Sequence, residues 1–203
     1  DALTDADHNV AVGQQALSTD TLGSRSTAIG QGALFTQNFT TATNSYNTAV
    51  GYEAGVAITT GVNNTLIGGL AGDAITTGFS NSLVGKLSGS ALTDADYNVA
   101  MGQQSLAQDT QGSTAVAIGS FALGTQNFTT ATNNYNVGVG YAAGGAITTG
   151  TFNTIIGGLA GDALTDADSN VAVGYSLSVD TLGSKSTAVG SHTLINQNFT
   201  TAT

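Results

Sequence analysis

A five-residue unit, approximately Asn-Thr-Ala-Val-Gly, recurs eleven times along the chain. Seven of the ten intervals between its closing glycines are 17 residues long, two are 21 and one is 16. Periods of this length are typical of solenoids, in which each repeat is one coil that buries its apolar side chains against the next coil. We therefore predict a stack of eleven coils, called rungs below. The closing glycines are Gly13, Gly30, Gly51, Gly68, Gly85, Gly102, Gly119, Gly140, Gly157, Gly174 and Gly190.

A longer period lies on top of the short one. The sequence Ala-Leu-Thr-Asp-Ala-Asp at residues 2–7 returns at residues 91–96 and again at residues 163–168. The second step is shorter than the first by one 17-residue rung, and a stack of equivalent rungs tolerates the loss of a whole unit. We predict one repeat array over residues 1–203, a piece of a longer fibre, with super-repeats at 1–89, 90–161 and 162–203.

Each rung follows the same order of strand, glycine and turn. A strand such as residues 47–50 ends at its closing glycine and is followed by a short apolar piece such as residues 69–72. A turn with the sequence Thr-Thr-Gly-x-x-Asn comes next, as at residues 59–64, and its Gly and Asn suit turn conformations. Glycines interrupt every window long enough for a helix. The pattern predicts an all-β fold, a parallel β-solenoid (β-roll) of about eleven rungs of 16–21 residues.

Both faces of the predicted strands are apolar. The position before the closing glycine is always Val, Ile or Met, and the position before that is Ala, Leu, Ile or Gly. A strand with one face in water would carry polar residues at alternate positions. We expect one face to pack inside the coil and the other to pack against a neighbouring subunit. The spacing leaves open which face is which.

The charge of the chain excludes several partners. Charged residues make up 8% of the chain, and its formal net charge of −10 leaves only Arg25, Lys86 and Lys185 as positive side chains. No basic stripe is available to neutralise phosphates, so we expect no nucleic acid partner. No apolar run is long enough to span a bilayer, so we expect no membrane insertion of this segment.

The repeat carries a family resemblance. The sequence Asn-Thr-Ala-Val-Gly-Tyr at residues 47–52, within the wider pattern Asn-x-Ala-Val-Gly-x-x-Ala-Leu, resembles the head repeats of trimeric autotransporter adhesins. It is also similar to the Asn-Thr-Ala-Val-Gly-Tyr repeats of phage tail-fibre proteins. The resemblance implies a left-handed parallel β-roll in which three chains pack about one axis, on the virion surface or outside the cell. The rungs of this chain are longer than those usual in the adhesin heads.

The resemblance favours a structural and adhesive function. The leading hypothesis is a homotrimeric segment of a phage tail fibre or virion appendage, a rigid spacer that contacts a host receptor, either a cell-surface glycan or a protein. The alternative is the head of a bacterial trimeric surface adhesin or another extracellular filament. A monomeric ligand-binding or ice-binding solenoid is less favoured, because adjacent threonines in the turns do not form a Thr-x-Thr lattice.

Three acidic clusters are candidate calcium sites. Oxygen-bearing side chains at alternate positions resemble the start of a calcium-binding loop. The glycine and the later bidentate Glu of such a loop are missing, and an Asx turn explains the clusters without a metal. Both readings stay open, and calcium is the only cofactor that the sequence suggests. The clusters are Asp5/Asp7/Asn9, Asp94/Asp96/Asn98 and Asp166/Asp168/Asn170.

The two 21-residue rungs are candidate binding loops. Each carries four extra residues, within residues 37–46 and 126–135, and insertions in solenoids become protruding loops. The aromatic rings of Phe39, Tyr46, Phe128 and Tyr135 are candidates to stack on sugar rings. Alternatively, the two phenylalanines pack beneath their loops.

The chain has few residues of the types that act in catalysis. The two histidines, His8 and His192, lie far apart in the array, Cys is absent, and Glu53 is the only Glu. No nucleophile elbow or phosphate-binding loop occurs in a strand-to-helix context. We therefore predict that the chain is not an enzyme. Two surface ion pairs are expected across turns, Asp20 with Arg25 and Asp180 with Lys185.

Overall fold

The computed structural model describes residues 6–199 and shows an all-β stack of parallel strands, with no helix among these residues. Eleven three-residue strands form one continuous sheet. They are β1 Val10–Val12, β3 Thr27–Ile29, β5 Thr48–Val50, β6 Thr65–Ile67, β7 Ser82–Val84, β8 Val99–Met101, β10 Val116–Ile118, β12 Val137–Val139, β13 Thr154–Ile156, β14 Val171–Val173 and β15 Thr187–Val189.

The register of the sheet confirms the predicted β-solenoid. Each strand pairs in parallel with the strand of the next rung, as Val10 pairs with Thr27 and Thr27 with Thr48. The paired residues are separated by the same intervals as the closing glycines. Ten steps of about 4.8 Å give a sheet roughly 48 Å tall.

The structure settles which face of the strands is the core. From β3 to β15 in the main sheet, the middle residue is buried, as for Ala49, Leu66 and Ile155. The first and last residues of each strand point the other way and stay partly or fully exposed. The middle position, which is Ala in most of these strands, is therefore the inner one.

The core contains one large apolar side chain per rung outside the strand, and two kinds of rung supply it from different positions. One kind has Leu four residues after the closing glycine, as at Leu34, and a polar residue three further on. The other kind has Gly four residues after the closing glycine, as at Gly55, and Ile or Leu three residues further on, as at Ile58. A Cβ on Gly55 would lie 3.1 Å from Cδ1 of Ile58. Each rung therefore places one large apolar side chain in this part of the core, from one position or from the other.

The closing glycines allow the rungs to approach closely. Their φ angles lie between +96° and +141°, a region that favours glycine. A Cβ on Gly85 would lie 2.6 Å from the carbonyl carbon of Gly102 in the next rung, and the same contact recurs along the column. The repeated glycine therefore reflects backbone stacking as well as conformation.

A ladder of buried asparagines joins successive rungs. The side chain Oδ1 of each accepts a hydrogen bond of 2.7–3.0 Å from the backbone N–H at the equivalent position of the next rung. Its Nδ2 donates to a turn carbonyl 13 or 14 residues later, at 2.7–2.9 Å. The amides thus satisfy buried backbone groups that the short strands leave unpaired. The ladder residues are Asn9, Asn47, Asn64, Asn81, Asn98, Asn136, Asn153 and Asn170.

Three rungs lack the ladder asparagine, and in each a Gln bonded to an Asp carboxylate lies beside the ladder position. Ser26 holds the ladder position of its rung, and Nε2 of Gln37 donates to its hydroxyl at 2.9 Å. The same Nε2 donates to Oδ2 of buried Asp20 at 2.5 Å, while Oε1 accepts from Nδ2 of Asn47 at 2.8 Å. Gln126 with Asp109, and Gln197 with Asp180, repeat this arrangement around Ala115 and Ser186.

These contacts show that the two predicted surface ion pairs are wrong. Asp20 and Asp180 are fully buried, and each accepts a hydrogen bond from a backbone amide three residues later. Arg25 lies on the surface, where its Nε donates to Oδ1 of Asn44 at 3.0 Å. A sequence separation of five residues suggested contact across a turn, but the turn directs the acid inward and the base outward.

Removing one ladder asparagine tests the ladder. In Asn81→Ala the N–H of Asn98 and the carbonyl of Ala95 lose their partners. Each buried unpaired group costs about 1–3 kcal/mol, so we expect the free energy of unfolding to fall by about 2–4 kcal/mol. Thermal unfolding followed by circular dichroism measures the loss. The exposed neighbour Ser82 is the control, since Ser82→Ala should change stability by less than about 0.5 kcal/mol. Equal melting temperatures for the two variants would contradict the ladder's role.

A pair of glycine substitutions tests the close approach of the rungs. In Gly85→Ala the new methyl group meets the backbone of Gly102, which cannot move without breaking the sheet. We expect a loss of about 3 kcal/mol or more, the scale of backbone strain combined with overpacking. Gly69→Ala is the matched control, because a Cβ there has no neighbour within 4 Å and the backbone is not left-handed. A Gly85→Ala protein as stable as Gly69→Ala would refute the argument.

Candidate functional site

The outward side of the main sheet is the most distinctive surface of the molecule. The last strand position forms an unbroken column of Val, Ile and Met over all eleven rungs, and the first position is Thr, Ser or Val. We call these two columns the outer face. In a single chain Ile67, Met101 and Ile156 are 39%, 44% and 40% exposed.

Two flanking columns extend the outer face. One precedes the ladder position and the other follows the closing glycine, and both carry exposed aromatic rings. Fifteen of the twenty exposed large apolar residues lie on the outer face or in these two columns. The exposed apolar surface is therefore concentrated on one side of the stack. The fifteen are Val10, Val12, Ile29, Tyr46, Tyr52, Ile67, Tyr97, Met101, Ile118, Tyr135, Tyr141, Phe152, Ile156, Tyr175 and Val189.

Charge is segregated in the same way. Arg25, Lys86 and Lys185, which are all the Lys and Arg residues of the chain, lie in the flanking columns. None of the thirteen Asp and Glu residues falls in the flanking columns or on the outer face. The acidic residues occupy the turns and the remaining sides of the rungs. The outer face is therefore free of carboxylates in a chain with a net charge of −10.

The structure separates the four aromatic residues predicted as loop contacts into two pairs. Phe39 and Phe128 are buried, with 4% and 6% of their surface exposed. The backbone N–H of Phe128 donates to Oδ1 of Asp109 at 2.9 Å, so this residue closes the polar cluster of its rung. The alternative reading, that the two phenylalanines pack beneath their loops, agrees with this placement.

The other pair remains on the surface. Tyr46 is 52% exposed, and the guanidinium of Arg25 lies 5.8 Å from its ring centroid. Tyr135 stacks on Phe152 of the next rung with centroids 5.2 Å apart. Both tyrosines belong to a column flanking the outer face rather than to the loop tips, and their ring contacts run along the stack.

Small parallel sheets brace the inserted loops. Strand β2 (Gly23–Ser24) pairs with β4 (Thr43–Asn44), and β9 (Gly112–Ser113) pairs with β11 (Thr132–Asn133). Each loop thus returns to the turn of the preceding rung before its chain enters the main sheet. The exposed tips are short polar segments such as Thr40, Thr41 and Ala42.

In the second predicted calcium cluster Asp94 and Asp96 line one surface cavity, but Asn98 is buried in the stack, so the three side chains do not converge on one point. In the second cluster, Oδ1 of Asp94 accepts from the hydroxyl of Thr76 at 3.0 Å and Oδ1 of Asp96 accepts from the N–H of Phe79 at 2.9 Å, both in the preceding rung. Asn98 is a buried ladder residue whose Oδ1 bonds the following rung. Asp166, Asp168 and Asn170 repeat this pattern.

The first calcium cluster can be compared only in part, because Asp5 lies outside the described residues. Asp7 is exposed and Asn9 is a ladder residue. Within residues 6–199 no three His, Cys, Asp or Glu side chains are grouped so that they could hold a metal ion. Calcium binding stays a prediction, and the carboxylates of the second and third clusters already accept hydrogen bonds from the preceding rung.

Several half-buried or buried acids have altered proton affinity. Burial raises the pKa of Asp109, although hydrogen bonds from Gln126 and backbone amides oppose the change. Burial also raises the pKa of Asp73 and Asp162, and one carboxylate oxygen of each is buried without a hydrogen bond partner in the described structure. The pKa of Asp96 is raised for the same main reason.

No protein-family model, curated protein or solved structure matches the chain. The described residues contain no helix with the length and apolarity needed to cross a membrane.

The raised pKa values predict that mild acidification stabilises the fold. A folded-state pKa above the ordinary aspartate value of 3.8 means that the folded state binds its proton first as the pH falls. The stabilisation appears as the pH drops through the folded pKa and is complete below 3.8. We expect the melting temperature to be higher at about pH 4.5 than at about pH 7.5. Asp73→Asn should raise the melting temperature at the higher pH and change little at the lower one. A steady fall in melting temperature on acidification would contradict the assignment.

Proposed function

We propose that this chain is a structural segment of a homo-oligomeric fibre, a trimer that acts as a rigid spacer in a phage tail fibre or virion appendage and contacts a host receptor. The single observation that carries the proposal is the unbroken apolar column on the outer face. Solvent-exposed apolar patches of this extent on soluble proteins mark interaction sites. The partner that best fits a repeated column is a second copy with the same repeat.

The dimensions of the outer face support association. The face is about 48 Å tall, and with its flanking columns about 15 Å wide, which gives roughly 700 Å². A standard protein interface buries about 800 Å² on each partner. Packing along the whole stack would therefore suffice for a stable assembly.

The charge distribution supports association between identical chains. Chains with a net charge of −10 repel one another, and this repulsion grows with each subunit added. Because the outer face and its flanks contain no carboxylate, the acidic groups lie away from the proposed contact. Arg25, Lys86 and Lys185 lie at its margins, where they can meet the acidic sides of a neighbouring chain.

The choice of a phage or virion fibre rests on the sequence resemblance described above. The head of a bacterial trimeric surface adhesin remains the alternative, since it would use the same rungs and the same oligomer outside the cell. In either case the parallel ladder makes the segment a spacer, because every rung is hydrogen bonded to its neighbours through backbone and asparagine side chains.

One observation favours a second candidate function. The outward positions of three consecutive strands, β3, β5 and β6, read Thr-x-Ile, Thr-x-Val and Thr-x-Ile, which places threonines in a regular outward column. A monomeric solenoid could present such a column to a crystalline surface such as ice. The column is interrupted by Val99, Val116 and Val137, so the regular lattice covers only part of the stack.

Light scattering on the purified chain tests the oligomer directly. We expect a mass about three times the 20.1 kDa of one chain. Ile118→Asp would place a carboxylate in the centre of the apolar column, and we expect it to shift the mass towards one chain. Thr129→Asp adds the same charge to an exposed loop and is the control.

A stable monomer of the unchanged protein would overturn the fibre proposal. That result would favour the solenoid that binds a regular surface, and measurement of thermal hysteresis in freezing solutions would then test it. Equal masses for Ile118→Asp and Thr129→Asp in an oligomeric protein would show that the subunits associate through another surface.

A further inference from the structure

A groove of about 630 Å³ runs along the stack on a different side of the rungs from the outer face. It spans five successive rungs, those that follow the closing glycines from Gly85 to Gly157, between a column two residues after the closing glycine and a column five residues after it. Most of its lining lies in the second super-repeat, with Leu87 just before that super-repeat and Asp162 just after it. Leu87, Phe121 and Leu159 form one wall. Gly124 and Gly145 lie in the opposite column and leave the space open.

The equivalent positions of the first super-repeat carry larger side chains. Phe35 and Val56 stand 89 residues before Gly124 and Gly145 and carry side chains where the groove is open. Neither groove glycine has a left-handed φ. A Cβ on Gly124 would lie 3.0 Å from the carbonyl oxygen of Phe121, and a Cβ on Gly145 would lie 3.0 Å from that of Ala142, so a larger residue needs a small shift of the turn. The missing side chains at these two positions leave the groove open.

The facing wall changes in a matched way. Phe121 occupies the position that Gly32 has in the first super-repeat. The first super-repeat thus carries its aromatic ring, Phe35, in one column, and the second carries its ring, Phe121, in the facing column. A Cβ on Gly32 would lie 3.1 Å from Cγ of Glu53, and the equivalent of Glu53 in the second super-repeat is the smaller Ala142. Both walls of the groove are thus altered together, and the Phe121 ring is left 38% exposed.

Polar groups without a partner lie near one end of the groove and at the other end. Gln104 and Gln108 line its second rung, and their side-chain amides make no hydrogen bond within the described residues. Asp162 lines its last rung, three rungs further on, or about 14 Å at 4.8 Å per rung, and one carboxylate oxygen of Asp162 has no hydrogen bond partner within the described residues. The middle of the groove is formed by Phe121, small side chains and glycines. No Lys or Arg lines it.

We propose that this groove binds an uncharged oligosaccharide lying along the stack. A sugar ring presents an apolar C–H face to an aromatic ring and hydroxyl groups, each both donor and acceptor, to amides and carboxylates. The exposed Phe121 ring supplies the stacking surface, and the two Gln amides and Asp162 supply hydrogen bonds. A phosphorylated, sulfated or sialylated ligand would meet Asp162 and a net charge of −10 without a compensating cation.

The binding site goes beyond the proposed fibre, and its test is separable from that of the oligomer. The purified protein, in the assembly that light scattering reports, is applied to immobilised short linear oligosaccharides built from hexose and N-acetylhexosamine. Sialylated, sulfated and amino-sugar chains are included as charged comparisons. The best binder is then titrated by calorimetry against the protein and its variants.

Three variants define the site. Gly124→Phe with Gly145→Val transplants the residues of the first super-repeat into the second, and we expect loss of binding by more than about tenfold, or more than about 1.4 kcal/mol. Phe121→Ala removes the stacking surface and should weaken binding about tenfold. Thr60→Phe is the matched control, because it adds the same ring at an exposed turn position outside both the groove and the outer face with its flanking columns, and it should leave the affinity unchanged.

The other outcomes overturn the proposal. Absence of binding to every neutral oligosaccharide would overturn it. A preference for charged oligosaccharides would also overturn it, including a preference for an amino sugar whose positive charge is held by Asp162. Equal affinities for the filled variant and the unchanged protein would place the ligand elsewhere. A change of oligomeric mass in the filled variant would identify the groove as a contact between subunits.

Discussion

The buried asparagine ladder is the interaction on which the rest of the structure depends. A strand of three residues provides few backbone hydrogen bonds, and the turns around it leave amides and carbonyls inside the coil without partners. One carboxamide per rung supplies both an acceptor for the next rung and a donor for a turn carbonyl. Because successive side chains point to opposite faces of a strand, fixing this residue inward also fixes the middle strand residue inward and its two neighbours outward.

The interior of the stack is complete without the outer face. Where a rung has Gly in place of Leu, an Ile or Leu three residues later fills the gap. Where a rung lacks the ladder Asn, a Gln beside that position donates to an Asp carboxylate. These exchanges keep the core volume similar from rung to rung, so whole rungs can be gained or lost. The outer column of Val, Ile and Met takes no part in them. Its apolar character therefore needs a cause outside the single chain, and association of chains is the simplest one.

Much of the fold followed from the sequence because the repeat is short and its spacing is strict. The positions of the closing glycines gave the eleven rungs, and the register of the sheet agrees with every interval. The direction of the strand faces did not follow, since Ala49 and Val50 are both apolar. Asp20 was misassigned to the surface because a buried acid is unusual, yet its recurrence with Gln37, and of Asp109 with Gln126, was a signal that the sequence contained. The groove was missed because it depends on substitutions between super-repeats, which a search for similarity passes over.

Repetition itself separates the two surfaces by their roles. The outer face recurs in every rung of all three super-repeats, as assembly of chains along their whole length would require. The groove is open where Gly124 and Gly145 stand in place of Phe35 and Val56, and Phe121 replaces Gly32 in the facing wall. Filling these positions is compatible with the fold, as the first super-repeat shows, so stacking does not explain the open space. The stack does not need the groove, and the ladder and the core beneath it are unchanged. A specific ligand can therefore be accommodated there without disturbing the fibre.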